Sequence, residues 1–225
     1  MTKTIVLLHA TPVAMQPITE AMQALWPEAT AIHLLDEGLS LERAKSPQLT
    51  PELKSRFIRF GTYARDMGAD GILATCSAFG EPLEALDQMF SIPVLKPNEA
   101  MFEAALEHGT RIGMLATFAP AVSGMESEFY ALTRQRQSQA TLKTLCVPGA
   151  IEALRAGNAP RHHALVAEYA AQLADCQAIM LAHFSTSGAL ATVQAASALP
   201  ILAAPQSAVL KMKHRLARDT RSDSC

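Results

Sequence analysis

The chain has 225 residues, of which 49% are hydrophobic and 18% are charged, and its formal net charge is −2. Disordered chains combine few apolar residues with much charge, so this composition excludes disorder. The charge balance lacks the excess of Lys and Arg that phosphates demand, so we expect no nucleic-acid partner. Its apolar stretches are all interrupted before they could span a bilayer, so we expect no membrane association. Four cysteines without a CxxC pair predict a reduced, cytoplasmic protein with neither a disulfide framework nor a metal site.

Short apolar runs of strand length alternate with helix-length segments along the whole chain. The clearest helix is opened by Thr50 and Pro51, is closed by Gly68, and has apolar residues three and four positions apart. A second helix begins near Pro160. Apolar strands that alternate with helices predict an α/β fold with parallel sheets covered on both faces. The predicted strands are 4–8, 31–35, 71–74, 92–95, 111–115, 142–147, 178–181 and 199–203.

The two halves of the chain resemble each other. Residues 71–97 align with residues 178–204 at a constant offset of 107, and LLHAT in the first strand corresponds to GMLAT in the fifth. The repetition predicts two similar Rossmann-like (flavodoxin-like) parallel-sheet domains related by pseudo-twofold symmetry, with a cleft between them. We expect residues 1–98 plus 205–225 to form the first domain and residues 99–204 the second.

Cys76 leads the candidates for chemistry. It follows the strand GILA and precedes the start of a helix, where N–H groups and the helix dipole lower the pKa of a thiol. A thiolate there serves as a base or a nucleophile, whereas an inert buried cysteine is the alternative. His183 matches Cys76 at the offset of 107, so we expect the two to face each other as opposed acid and base. A histidine with only a structural role is the alternative for His183.

The residues that follow the strands also predict how a substrate is bound, because ligands of open α/β sheets lie beyond the carboxyl ends of the strands. Hydroxyls and N–H groups are numerous there and suit a carboxylate, although Ser and Thr also cap helices. No arginine follows any strand directly, so we expect neutral donors to hold the anion. The predicted substrate-binding residues are His9, Thr11, Thr75, Ser77, Ala78, Asn98, Thr117, Phe118, Phe184 and Ser185.

The segments ILATCSAFGE, VLKPNEAMFEAAL, RIGMLATFAP and AIMLAHFSTSGA resemble the aspartate/glutamate/hydantoin racemase superfamily, over nearly the whole chain. The resemblance implies a cofactor-independent, homo-oligomeric enzyme of two α/β domains in which one cysteine from each half flanks a small carboxylate. Cys76 matches the first family cysteine, Ser77 the carboxylate-binding position beside it, and Thr117 the threonine of the second half's first loop. His183 stands in the place of the second family cysteine.

The sequence therefore predicts a racemase-like or epimerase-like isomerase of a small carboxylate or amino-acid-like substrate. Cys76 would act as base or nucleophile, and the His183 imidazolium would return a proton to the other face. Two alternatives stay open. A cofactor-free decarboxylase or cis–trans isomerase would use Cys76 alone, and a small-acid binding protein would leave its ligand unchanged.

Overall fold

The computed structural model describes residues 2–46 and 48–222, with the main chain alone at 120 and 219–222. Within these residues all strands pair in parallel and form two separate four-stranded sheets. The strands are β1 (Thr4–His9), β2 (Thr30–Leu35), β3 (Gly71–Ala74), β4 (Val94–Leu95), β5 (Arg111–Ala116), β6 (Thr141–Cys146), β7 (Ala178–Leu181) and β8 (Ile201–Ala203).

Helices connect the strands and flank both sheets. None of the helices described is long and apolar enough to cross a membrane. The helices are α1 (Met15–Leu25), α2 (Glu37–Arg43), α3 (Pro51–Asp66), α4 (Gly80–Met89), α5 (Glu99–Glu107), α6 (Val122–Gln135), α7 (Ala150–Arg155), α8 (Ala159–Ala170), α9 (His183–Thr186), α10 (Leu190–Ala196) and α11 (Ala204–Ser222). Short 3₁₀ turns lie at Pro12–Ala14, Ser77–Phe79, Ala119–Ala121, Ala171–Leu173 and Ser187–Ala189.

The chain divides into two compact units. Unit 1 comprises Met1–Pro97 and Ala208–Cys225, and unit 2 comprises Asn98–Ser207. The last three residues of the predicted first domain, 223–225, lie outside the described residues. Unit 1 has the strand order β2-β1-β3-β4, and unit 2 has the same order, β6-β5-β7-β8. This repetition confirms the predicted α/β class with two similar parallel sheets.

The core of unit 1 lies between the central strands and helices α3 and α4. Strand β3 is buried throughout, and its residues pack with Leu53 and Phe57 of α3 and with Leu86 of α4. The two helices approach closely at Gly61, where a Cβ atom would collide with the Leu86 side chain. The helix predicted from Thr50 is α3, and the Thr50 hydroxyl caps it by accepting a bond from the Leu53 N–H.

The core of unit 2 has the same plan. Strand β7 is buried throughout, and Ile179 and Leu181 pack with Val166 of α8 and Val193 of α10. A crossover helix returns the chain to the start of the next parallel strand, so its own N-terminus lies near the carboxyl ends of the strands. The first turn of α8 therefore lies at the edge of the sheet where the candidate site residues follow their strands.

Two strands begin later than the sequence predicts. The runs 92–95 and 199–203 were expected to be strands, whereas β4 begins at Val94 and β8 at Ile201. The residues just before them are Pro93 and Pro200, which have no N–H to donate to a ladder. Only their carbonyls take part, each accepting a 2.9 Å bond, from Ile72 and Ile179 respectively.

Candidate active site

Cys76 lies at the carboxyl end of β3, in an extended conformation, directly before the 3₁₀ turn Ser77–Phe79. The thiol is not part of a disulfide, and the residue is half-buried against the unit 1 core. The turn is anchored by Phe79, which is fully buried and stacks on Phe57 with ring centroids 4.6 Å apart. A buried strand on one side and a buried aromatic ring on the other thus fix the main chain that carries Cys76.

His9, expected from sequence to bind substrate, lies at the end of β1 and is fully buried. Its Nδ1 is 2.9 Å from Thr75 Oγ1, and its Nε2 is 2.9 Å from His33 Nδ1. Burial, with a smaller effect from His33, lowers the pKa of His9 to about 4. Burial also lowers the pKa of His33. Both rings are therefore neutral at pH 7, and Thr75 is held beside Cys76 by a histidine rather than by solvent.

The remaining predicted residues of unit 1 lie around the same edge of the sheet. Thr11 is half-buried and precedes the turn Pro12–Ala14, while Ser77 and Ala78 are half-buried in the turn after Cys76. Their burial leaves part of each side chain accessible, as substrate contact requires.

An arginine reaches this edge from a helix. Asp36, which follows β2, accepts bonds of 2.9 and 2.7 Å from Nε and Nη2 of Arg56 in α3. No arginine directly follows a strand in the sequence, but Arg56 brings a guanidinium to this edge from a helix, paired with Asp36. The expectation that neutral donors hold the anion stays a prediction. Arg56 is 20 positions from Asp36 in the chain, so no local pattern reveals the pair.

His183 follows β7 by two positions and begins α9. Its φ of 66° lies in the left-handed region, which costs a non-glycine residue roughly 1–3 kcal/mol. Its Nε2 is buried and has no hydrogen-bond partner among the described residues. Burial lowers the pKa of His183 to about 4. The imidazolium expected from the sequence is therefore wrong for the resting protein, and His183 is a neutral imidazole at pH 7.

Aromatic and hydroxyl side chains follow His183 in the sequence, and another hydroxyl follows the neighbouring strand β5. Thr117, after β5, is buried with its Oγ1 3.2 Å from the Oγ1 of Thr186, which is fully buried in α9. Phe184 is buried, whereas Ser185 is half-buried. Unit 2 thus joins two of its strand-end segments through one pair of hydroxyls.

A cation lies beside one of the predicted substrate-binding residues of unit 2. Phe118 is 39% exposed, and the guanidinium carbon of the exposed Arg155 lies 5.6 Å from its ring centroid. Arg155 ends α7. Like Arg56, it reaches the strand ends from a helix, so its position in the sequence does not reveal it. This arrangement brings positive charge to the carboxyl edge of the unit 2 sheet.

Asn98 is almost fully buried at the start of α5, and its contacts assign it to unit 2. Its Nδ2 donates a 3.1 Å bond to Glu128 Oε2. The amide is therefore engaged within unit 2, and its predicted contact with substrate stays a prediction, as do the substrate contacts of the other residues named from the sequence.

The family follows from comparison with known sequences. The sequence model for Asp/Glu/Hydantoin racemase matches residues 5–132, more than half of the chain. The chain belongs to this family. The match confirms the resemblance seen in the sequence, and it makes the protein an isomerase of the Asp/Glu racemase family whose reaction is not specified. No curated protein matches the sequence significantly.

Solved structures share the fold over nearly the whole chain. An aspartate racemase homologue from Pyrococcus horikoshii is 13% identical with a TM-score of 0.72, and the match covers 96% of this chain and 100% of that one. Glutamate racemase from Bacillus anthracis is 14% identical with a TM-score of 0.71, covering 96% and 82%. Allantoin racemase from Klebsiella pneumoniae is 16% identical with a TM-score of 0.71, covering 97% and 89%. At these identities the likeness shows a common fold.

Proposed function

We propose that the protein is a cofactor-independent isomerase that inverts the carbon next to the carboxylate of a small acid, with Cys76 and His183 as its proton carriers. One observation carries the proposal. Cys76 and His183 follow equivalent buried strands, β3 and β7, in two units with the same strand order. Inversion requires one group to remove a proton and another to return a proton to the opposite face. The proposal therefore requires both side chains to act on one substrate molecule.

The charge state of His183 sets the direction of the first step. With a pKa of about 4, His183 is neutral at pH 7, so in the resting protein it can accept a proton but has none to give. It takes the proton from the substrate carbon, whose C–H electron pair stays on the substrate, and the Cys76 thiol gives its proton to the other face. The pair ends as imidazolium and thiolate, the state from which the reverse reaction starts, so the number of protons is conserved.

An anionic substrate is supported by the groups near both residues. Ser77 and Ser185 offer half-buried hydroxyls, one directly after Cys76 and the other two positions after His183. Arg155, beside Phe118, adds positive charge at the edge of unit 2. Donors that bind the carboxylate also stabilise the negative charge that develops when the proton leaves. The solved structures named above are described as a glutamate racemase, an aspartate racemase homologue and an allantoin racemase, so glutamate, aspartate and allantoin are the first compounds to test.

The experiment is solvent deuterium exchange. Single enantiomers of glutamate, aspartate and other small 2-substituted acids, and separately of allantoin, which has no carboxylate, are incubated with the protein in D₂O. Proton NMR then follows loss of the α-proton signal, and chiral chromatography follows inversion. We expect one compound to gain deuterium as it inverts. Absence of both exchange and inversion across a panel of such acids, with binding retained, would favour the small-acid binding protein.

Matched variants test the two residues. We expect Cys76→Ala to reduce inversion at least about 1,000-fold, in line with loss of a proton carrier together with its binding contacts. Cys146→Ala is the control, because Cys146 is exposed at the end of β6 and has no part in the proposal. In His183→Asn we expect inversion to be lost, with residual exchange in one enantiomer only, since one face keeps its carrier.

A reaction in which Cys76 acts alone is the second candidate. It is favoured by the low pKa of His183, which leaves little imidazolium at pH 7 to deliver a proton. A decarboxylase or cis–trans isomerase of this kind would retain appreciable turnover in His183→Asn. The two-carrier isomerase would not, so the same variant distinguishes the two functions.

A further inference from the structure

We propose that His33 and Thr19 are positioning residues that, with His9, form a directional hydrogen-bonded relay holding Thr75 beside Cys76. In this relay the Thr75 hydroxyl donates its hydrogen bond to His9 Nδ1. Thr75 therefore has no hydrogen bond to donate to a substrate carboxylate. The role at Cys76 rests on the proposed function, whereas the relay and its direction are properties of the resting protein.

The contacts form a continuous path from the buried Thr75 and His9 to the half-buried His33 and Thr19. Thr75 Oγ1 lies 2.9 Å from His9 Nδ1, and His9 Nε2 lies 2.9 Å from His33 Nδ1. His33 Nε2 lies 3.2 Å from Thr19 Oγ1, which in turn lies 2.8 Å from the Met15 carbonyl oxygen. His9 is fully buried, Thr75 is nearly so, and the planes of the two imidazoles lie within 13° of each other with ring centroids 5.0 Å apart, as an edge-to-edge hydrogen bond between them requires.

The direction of the relay follows from its two ends. At 2.8 Å the Thr19 hydroxyl donates a normal O–H···O bond to the Met15 carbonyl, so its oxygen is left to accept a hydrogen bond from the Nε2–H of His33. A neutral imidazole has one donor and one acceptor. His33 therefore accepts at Nδ1 from His9 Nε2–H, and His9 accepts at Nδ1 from the Thr75 hydroxyl.

The opposite direction fits the distances less well. It would turn the Thr75 hydroxyl to the Leu8 carbonyl at 3.3 Å, beyond the usual range for O–H···O bonds, and would give up the 2.8 Å bond of Thr19. We therefore assign the Nε2–H tautomer to both His9 and His33.

The relay orients groups and does not carry protons away. It ends on the carbonyl of Met15, which has no proton-binding partner beyond it in this path. Neutral rings with one fixed tautomer hold Thr75 in one rotamer, and Thr75 precedes Cys76 at the end of β3. The main chain of Thr75 is also tied to β1 through Leu8. The residue before the thiol is thus fixed by both its side chain and its main chain.

Unit 2 does not repeat this arrangement, although its fold does repeat. The register that pairs Leu7 with His33 in unit 1 pairs Met114 with Thr144 in unit 2. Ala116 ends β5 where His9 ends β1, and Ala182 stands at the position of Thr75 at the offset of 107. The Thr144 hydroxyl oxygen is buried without a partner among the described residues. The relay thus belongs to the unit that holds the cysteine.

The test reads the tautomers directly. Two-bond ¹H–¹⁵N correlation spectra of the seven histidines are recorded at pH 7 without substrate, and the two rings are assigned with His9→Gln and His33→Gln. We expect neutral Nε2–H rings at both positions in the native protein and in Thr19→Ser, which keeps the hydroxyl. Thr19→Val removes the acceptor of the His33 proton. We expect the Nδ1–H form to appear in that variant at both rings in equal proportion, because neither ring can switch alone.

An Nδ1–H ring at either position in the native protein, or unchanged spectra in Thr19→Val, would overturn the assignment. Kinetics test the positioning role with the substrate found by deuterium exchange. We expect Thr19→Val to lower kcat roughly tenfold with little change in KM, because misplaced catalytic groups slow the reaction without weakening binding. Thr19→Ser should stay within about twofold. Native kcat in Thr19→Val would overturn the positioning role, whereas the expected tautomers in a protein without turnover would overturn only the proposed function.

Discussion

His162 is a buried polar residue whose ring has no partner. It is fully buried in the first turn of α8, and neither ring nitrogen has a hydrogen-bond partner among the described residues. Burial, with a smaller effect from His163, lowers the pKa of His162 to about 4, so the ring is neutral at pH 7. An unpaired buried donor costs free energy that an apolar side chain of similar size does not.

We therefore expect His162→Leu to raise the free energy of unfolding by about 1–3 kcal/mol at pH 7. Urea denaturation followed by circular dichroism measures the change. The neighbouring His163 is only half-buried, so His163→Leu is the matched control and should change stability little. Lower stability in His162→Leu would mean that the ring nitrogens are hydrogen-bonded in solution and contribute to the fold.

The turn after Cys76 depends on one aromatic contact. Phe79 is fully buried and stacks on Phe57, which joins the turn Ser77–Phe79 to helix α3. We expect Phe79→Ala to lower the free energy of unfolding by about 3–5 kcal/mol, since it removes a buried ring and leaves a cavity. Phe118→Ala is the control, because Phe118 is 39% exposed and should cost much less. Denaturation measures both, and equal losses would contradict the anchoring role of Phe79.

The sequence predicts the elements that carry the candidate site better than it predicts the partners around them. Periodicity and turn residues place Cys76 after β3, and the offset of 107 identifies His183 as its equivalent, because both signals are local or repeated in the chain. His33 gives no such signal. It is one polar residue in the run AIHLL. Its proposed positioning role depends on contacts with His9 and Thr19, which only the fold brings together.

Electrostatics was the harder part to predict, because burial decides it. An ordinary histidine has a pKa near neutrality, so the sequence alone predicted an imidazolium at His183. Burial lowers that pKa to about 4, and burial depends on packing that one sequence does not show. The positive charges of Arg56 and Arg155 were missed for a different reason, because each side chain reaches a strand end from a helix.

The two units keep one topology while their polar residues differ. Strand order is the same in both, yet unit 1 has a cysteine and a histidine relay where unit 2 has a histidine and two alanines. Strand order depends on apolar core residues that are alike in the two units, such as Ile72 and Ile179. It therefore tolerates different residues at the strand ends. A duplicated fold of this kind can therefore hold one acid and one base of different chemistry.

Buried neutral histidines make the stability of the whole molecule depend on pH. His9 and His162 are fully buried, and each has a folded-state pKa of about 4 against 6.5 for an ordinary histidine. Between these values the unfolded chain binds protons that the folded chain excludes. The stabilisation is therefore complete above pH 6.5 and is lost as the pH falls towards 4, by about 3 kcal/mol for each residue. His183 contributes in the same direction.

Equilibrium unfolding at a series of pH values between 7 and 4.5 tests this dependence, in a range where most carboxylates stay ionised. We expect the free energy of unfolding to fall steadily across the range, and to fall less steeply in His162→Leu, because one of the titrating groups is gone. His108→Gln is the control, since His108 is exposed, and its profile should follow that of the native protein. A native profile that stays flat from pH 6.5 to 4.5 would show that these rings accept protons in the folded state, which neutral buried imidazoles cannot do.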